Sequence, residues 1–317
     1  MNQWLKYLDY FFVNRPILFF PGWTTLLAGY LAATNNLNLL QLIKTNNFHL
    51  VFWNPLIFQG LLSFSFAMGG SFILNQIRDM SSDKKNRKLF LLGEGHISVK
   101  GGYIESLILI TLSLMIGMRV SIYLFLLMTC FVILTGYLYN YPPFSFKDKP
   151  VSGLVANMLM GWVAFAIGWV TMRTINAALI IHSIPYLLFN TSLYFLTTLP
   201  DVEGDTSTKK ITFPVKYGFN LTVWISVISF LLSVLTSLLA GDQLLLLVLI
   251  LNAFFVIKLI RKKDVSTAIL VIKTGIFFFC VVLSFKFPLF LIVLVFLFFF
   301  TRFYYKRRFQ FDYPSFK

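Results

Sequence analysis

Ten apolar runs, each long enough to cross a bilayer and separated by short polar connections, constrain this chain more than any other feature. They cover residues 16–34, 54–78, 103–118, 120–138, 152–171, 178–198, 219–239, 243–260, 265–285 and 287–304. None alternates apolar and polar residues with the period of a strand, so each reads as a helix with lipid on at least one side. In lipid, every backbone N–H and C=O must be paired within the element, which leaves a helix bundle as the architecture. The expectation is an all-α integral membrane protein of nine to ten transmembrane helices around a central cavity. One transmembrane domain would span 1–317, with a core over about 15–285 and an added span over about 287–304. The start of the chain, with Asp9 and aromatic residues ahead of Arg15, lacks the basic opening and small-residue cleavage site of a signal peptide.

The net charge of +15 raises the question of nucleic acid, but its distribution answers it. With the N-terminus in the cytoplasm, the outside connections carry only Lys44, Arg119, Arg173 and Lys286, and Lys258 and Lys273 fall within spans. The other 21 of the 27 basic residues then lie inside. That is the positive-inside bias of a multi-pass membrane protein. No nucleic-acid partner is expected, and the bilayer is. An even number of spans is also favoured, since nine would put the basic stretch from Arg302 outside. Cys130 and Cys280 fall inside apolar spans without metal-ligand spacing and read as small packing residues.

The cytoplasmic connections hold the chemistry. Asn75, Asp79 and Asp83 follow one another at four-residue intervals off the end of the second span, and Asp201 and Asp205 repeat the spacing after the sixth. On a helix, residues four apart share a face. Carboxylates at membrane helix ends are costly unless they act, although solvated helix ends paired with nearby lysines are the plainer reading of either pair alone. Two pairs on one side of the membrane fit Mg²⁺, which takes oxygen ligands and is held by one or two carboxylates plus substrate phosphates. Basic residues follow each motif, among them Arg87 and Lys209. Arg87 is the preferred diphosphate ligand because its guanidinium offers a bidentate fork; a positive-inside anchor is the alternative. Between the motifs, Tyr139 ends a span ahead of Pro142 and Pro143, either facing the site or serving as a belt aromatic. Asn157, Asn190 and Tyr194 are candidates to line the cavity, against interhelical packing hydrogen bonds as the plainer role of the two asparagines. Lys273, deep in the ninth span, is another, against snorkelling to the interface. His96 either caps the site or is a solvated loop residue.

Taken together these residues resemble the UbiA superfamily of intramembrane prenyltransferases. The first motif is similar to that family's Asn-x3-Asp-x3-Asp. Tyr139, Pro142, Pro143 and Lys147 match its Tyr-x-x-Pro-Pro-x-x-x-Lys element. Residues 86–98 look like its loop after the first motif, and Phe213–Gly218 like the segment before its seventh helix. Leu199–Asp205 is similar to the second motif of homogentisate prenyltransferases, geranylgeranylglyceryl phosphate synthases and chlorophyll synthases. Thr197 and Thr198 stand where the family often has Lys-Asp. The resemblance implies that Asp79, Asp83, Asp201 and Asp205 hold Mg²⁺ and, with Tyr139, carry catalysis. Asn75, Arg87, Lys147, Lys209, Asn157, Tyr194 and Lys273 would bind substrate. The partners implied are an isoprenyl diphosphate donor and a small hydrophobic or aromatic acceptor. An aromatic quinone or tocopherol precursor such as homogentisate is preferred as acceptor over a glycerol phosphate lipid precursor or chlorophyllide. A cation-coupled transporter is the alternative of another class, and it would place its carboxylates near the midplane rather than at helix ends.

Overall fold

The computed structural model describes residues 3–38, 54–85, 91–208 and 210–314, the side chains of 3–4 and 81–85 excepted. Among them no strand occurs, and ten helices of eleven or more residues follow in chain order. These are α1 (Phe19–Ala33), α2 (Pro55–Lys85), α3 (Val99–Val120), α4 (Ile122–Val132, continued by a π turn Ile133–Leu138), α5 (Pro150–Val170) and α6 (Ala177–Thr197). Then come α7 (Phe219–Leu239), α8 (Gln243–Lys262), α9 (Val265–Lys286) and α10 (Pro288–Phe309). Their starts are written locally. Ser98, Ser121, Asn176, Asp242 and Asp264 each accept a backbone N–H in the first turn of the helix that follows. Pro150 and Pro288 open α5 and α10, where a missing N–H costs nothing.

Nine segments of the described residues are long and apolar enough to cross a bilayer. The tenth, α4 with its π turn, is shorter at 11 and 6 residues, about 25 Å at 1.5 Å per residue. Its C-terminal end reaches the cavity at which α2 and α6 also end, through Tyr139. Two boundaries differ from the sequence reading. Helix α2 runs beyond 78 to Lys85, so Asp79 and Asp83 ride on continuous helix. Helix α10 runs beyond 304 to Phe309, so Arg302, Lys306, Arg307 and Arg308 are helical rather than a loose tail. Its last turns persist because Tyr304 and Tyr305 are buried against Leu5, Phe12 and Val13 of the N-terminal segment.

Helix α1 packs along α5, α2 along α3, α6 along α7 and α8 along α9. The α1–α5 contact is the tightest. A Cβ on Gly29 would overlap the Phe165 carbonyl, and one on Gly168 would overlap the Leu26 carbonyl. Only glycine lets the two backbones approach this closely, and packing at such crossings replaces the hydrophobic drive that lipid does not supply. Helix α2 has two working faces. Ile73, Ile77 and Met80 join the cluster with Leu5, Phe12 and Tyr304, while Asn75 and Asp79 point into the cavity.

Candidate active site

The cavity, about 330 Å³, opens among the ends of α2, α4, α5 and α6. Helix α2 contributes Asn75 and Asp79, the α4–α5 loop contributes Tyr139 and Lys147, and α5 contributes Asn157. Helix α6 and the segment after it supply Tyr194, Thr197, Thr198, Asp201 and Asp205, then Thr208, Lys210 and Thr212. Residues more than 120 positions apart thus share one site.

Each side chain is placed for a reason. A short helix, Val202–Ser207, follows Asp201, and the Asp205 N–H donates to the Asp201 carbonyl at 2.8 Å. One helical turn therefore separates the two aspartates, and both line the cavity while Glu203 is exposed. Thr212 donates to Asp205 Oδ2 at 3.0 Å. On the opposite wall, Asn75 Nδ2 donates to Asn140 Oδ1 at 2.6 Å, and Asn140 Nδ2 donates to the Thr135 carbonyl at 2.6 Å. Asn140 is buried and thereby fixes the Asn75 amide. The π turn inserts an extra residue before Tyr139, whose N–H donates to Leu134 at 2.9 Å. That rotates Tyr139 by roughly 100° relative to a regular helix, and its side chain lines the cavity.

Charge inside the cavity is paired. Lys147 Nζ sits 2.6 Å from both Asp79 oxygens. The ammonium and the carboxylate are only 11% and 18% exposed. Burial lowers the Lys147 pKa, and Asp79 only partly offsets it. Lys210 lies 3.8 Å from Asp148. The Tyr139 hydroxyl is pushed well up, first by burial and then by Tyr194 and the negative charge of Asp79, Asp148 and Asp205. It stays a neutral phenol at any physiological pH.

Of the residues expected from sequence, Asn75, Asp79, Tyr139, Lys147, Asn157, Tyr194, Asp201 and Asp205 line this cavity. Asp83 lies one turn beyond Asp79 on α2, but its side chain, with Arg87 and Lys209, is outside the described residues. Lys273 is placed elsewhere: it is exposed at the surface of α9 and is not among the lining residues. Asn190 faces Gly161 of α5, and His96 lines a different cavity. Asn140, Asp148, Thr208 and Thr212 were not singled out by sequence. Asn140 alone carried a local signal, as a polar residue directly after Tyr139.

Known proteins resemble the chain in sequence and in fold. The chain is 28% identical to a 2-acylphloroglucinol 4-prenyltransferase of Humulus lupulus over 182 residues, 52% of this chain and 42% of that enzyme. It therefore spans less than half the length of that plant relative. A digeranylgeranylglyceryl phosphate synthase of Sulfurisphaera tokodaii is 25% identical over 219 residues, 64% of this chain and 74% of that one. In three dimensions the fold matches a UbiA homolog from Archaeoglobus fulgidus solved with GPP and Mg²⁺. The TM-score is 0.64 at 20% identity, over 88% of this chain and 99% of that one. The model of the UbiA prenyltransferase family matches residues 49–269, more than two thirds of the sequence, and the chain belongs to that family.

Proposed function

We propose that the chain transfers an isoprenyl group from an isoprenyl diphosphate to a small acceptor, in a reaction that depends on Mg²⁺. The observation that carries this reading is the convergence of Asp79, Asp201 and Asp205 with Lys147 and Tyr139 on one cavity. The donor set fits the metal. Its carboxylates are hard oxygen ligands, yet among the described residues no three acidic, His or Cys side chains close around one point. Such a site is completed by phosphate oxygens, as Mg²⁺ sites for phosphorylated substrates are. Asp79, Asp83, Asp201 and Asp205 would hold the ion, which would supply Lewis-acid stabilisation of the departing diphosphate.

The chain's own residues do the rest. Lys147, drawn off Asp79, meets diphosphate oxygens, and Asn75, fixed by Asn140, orients the same group. Arg87 and Lys209 follow the two motifs in sequence and would extend the cationic mouth. The allylic C–O bond breaks and its electron pair leaves with the diphosphate. A nucleophilic carbon of the acceptor forms the new C–C bond and then loses its proton. Tyr139, a neutral phenol, presents a π face to the developing allylic cation. Asn157, Tyr194 and the rim threonines offer hydrogen-bonding partners to the acceptor. A transporter reading is not favoured, because the carboxylates sit at helix ends and not at the midplane.

The acceptor is proposed to be aromatic, a quinone or tocopherol precursor such as homogentisate. The resemblance of Leu199–Asp205 to homogentisate enzymes supports it, and so does the plant relative named for a phloroglucinol. A glycerol phosphate lipid precursor is the second reading, favoured by the archaeal relative that the chain covers more fully. The cavity face is proposed to be cytoplasmic, since Arg78, Lys149, Lys216 and Lys263 cluster there while Arg119, Arg173 and Lys286 mark the other side. Purified protein given labelled geranylgeranyl diphosphate, Mg²⁺ and a panel of phenolic and glycerol phosphate acceptors tests the reading. Product with a phenolic acceptor, abolished by EDTA, is expected. Transfer that persists in excess EDTA overturns the carboxylate site.

A further inference from the structure

A second cavity, about 420 Å³, lies on the same face as the first and shares no residue with it. The N-terminal segment supplies Lys6, Tyr7, Asp9 and Tyr10, the α2–α3 loop supplies Gly95 and His96, and α10 supplies Arg308. At its floor is a built charge network. Asp9, 3% exposed, accepts the Tyr304 hydroxyl at 2.7 Å and Arg308 through Nε at 3.3 Å and Nη2 at 3.1 Å. Asp9 thereby cancels the charge of Arg308 without taking all five donors of its fork. Lys6 is exposed above them, and the His96 ring lies 4.9 Å from that of Phe309. Lys6 and Arg308 against Asp9 leave the lining one surplus positive charge, and Glu94, outside the lining, lies 3.5 Å from His96 Nε2. The cavity lies between the N-terminal segment and the basic end of α10, and Tyr7 and Tyr10 in its lining are 84% and 48% exposed, an aromatic and basic pairing typical of the membrane interface.

We propose that this cavity binds the phosphate of an anionic phospholipid headgroup, apart from the reaction assigned above and independent of it. One surplus charge matches one phosphodiester. Lys6, the remaining Arg308 donors and the tyrosine hydroxyls supply hydrogen bonds of the kind phosphate oxygens take. Basic pockets at the ends of transmembrane helices attract such headgroups. A lipid seated there would tie the N-terminal segment, the loop after the first aspartate motif and α10 into one unit.

The test uses the full chain in detergent, as wild type and as a Lys6→Ala/His96→Ala double variant. Both substituted side chains are solvent-accessible, so an unchanged unfolding midpoint without lipid is expected and confirms folding. Native mass spectrometry and thermal unfolding are then run with phosphatidylglycerol, with phosphatidylcholine and with inorganic phosphate. Wild type should retain phosphatidylglycerol in preference to phosphatidylcholine and unfold at higher temperature with it. The double variant should lose about tenfold or more in that affinity. Saturable stabilisation by inorganic phosphate with no preference between the lipids would assign the site to a free phosphate and overturn the headgroup. Equal retention of both lipids without a phosphate effect, or retention unchanged in the variant, would remove the site altogether.

Discussion

Lys147 holds Asp79 through both carboxylate oxygens, and so occupies the face of Asp79 that a metal would need. Lys147→Gln should therefore have opposite effects on two measurements. Mn²⁺ binding without donor, read by electron paramagnetic resonance, should tighten, since no ammonium competes for the carboxylate. The donor KM should rise about tenfold to a hundredfold, since a charge-assisted phosphate contact is worth roughly 1.5–3 kcal/mol. If Mn²⁺ binding weakens in parallel, Lys147 supports the metal site rather than competing with it. Asp205→Asn keeps a hydrogen-bond acceptor for Thr212 but loses the charge. Turnover should fall by orders of magnitude while the unfolding midpoint moves little, because the group faces an open cavity. Away from the site, Asp242 is 1% exposed in the turn between α7 and α8. Burial raises its pKa from 3.8 to about 6, and hydrogen bonds from Tyr186, Leu245 and Leu244 only partly offset that. A carboxyl raised in the fold stabilises while protonated. That contribution is complete below about pH 4 and lost as pH rises through about 6. Asp242→Asn retains the cap on Leu245 and should flatten this window. It should also gain on the order of 2–3 kcal/mol at pH 7, visible as a higher midpoint in a pH series of thermal unfolding.

At the scale of elements, the α1–α5 crossing sets the geometry behind the cavity. Gly29 and Gly168 each lie against a backbone carbonyl of the other helix. Gly168→Leu must separate the helices, and overpacking of this kind costs about 1–3 kcal/mol or more. A lowered midpoint is expected, with turnover reduced in the surviving protein because α5 also carries Asn157. Wild-type stability in that variant would show that the crossing is slack. Helix α2 illustrates what periodicity reveals and what it conceals. The spacing of Asn75, Asp79 and Asp83 showed one polar face, and the helix does carry Asn75 and Asp79 into the cavity. Nothing local showed that the opposite face, through Ile73 and Ile77, would be braced by α10 and the N-terminal segment. The cluster joins Ile73 to Leu5 on one side and to Tyr304 on the other, and it arises only when the bundle closes.

At the scale of the molecule, both aspartate motifs line one cavity, and ten crossings, with α4 as the shortest, are the expectation that this placement makes testable. Single cysteines at Thr206 and at Phe311 should be labelled from the same side of sealed vesicles, and one at Gly241 from the other. Labelling of Thr206Cys and Phe311Cys from opposite sides would contradict ten crossings. The sequence by itself determined the helical, membrane-embedded class, because apolar runs of this length leave the backbone no other way to pair its polar groups. It also determined the uneven spread of the basic residues among the connections and the carboxylate stripes, since charge placement and helical spacing are local properties. Tertiary structure alone decided which candidates meet. It brought Asn140 under Asn75, Thr212 onto Asp205 and Lys147 onto Asp79, and it left Lys273 on the outer surface of α9. It also joined Asp9 to Arg308 across nearly the whole chain. Such pairings depend on how ten helices pack and turn against one another, and side-chain direction around a bundle axis is not written in any single segment.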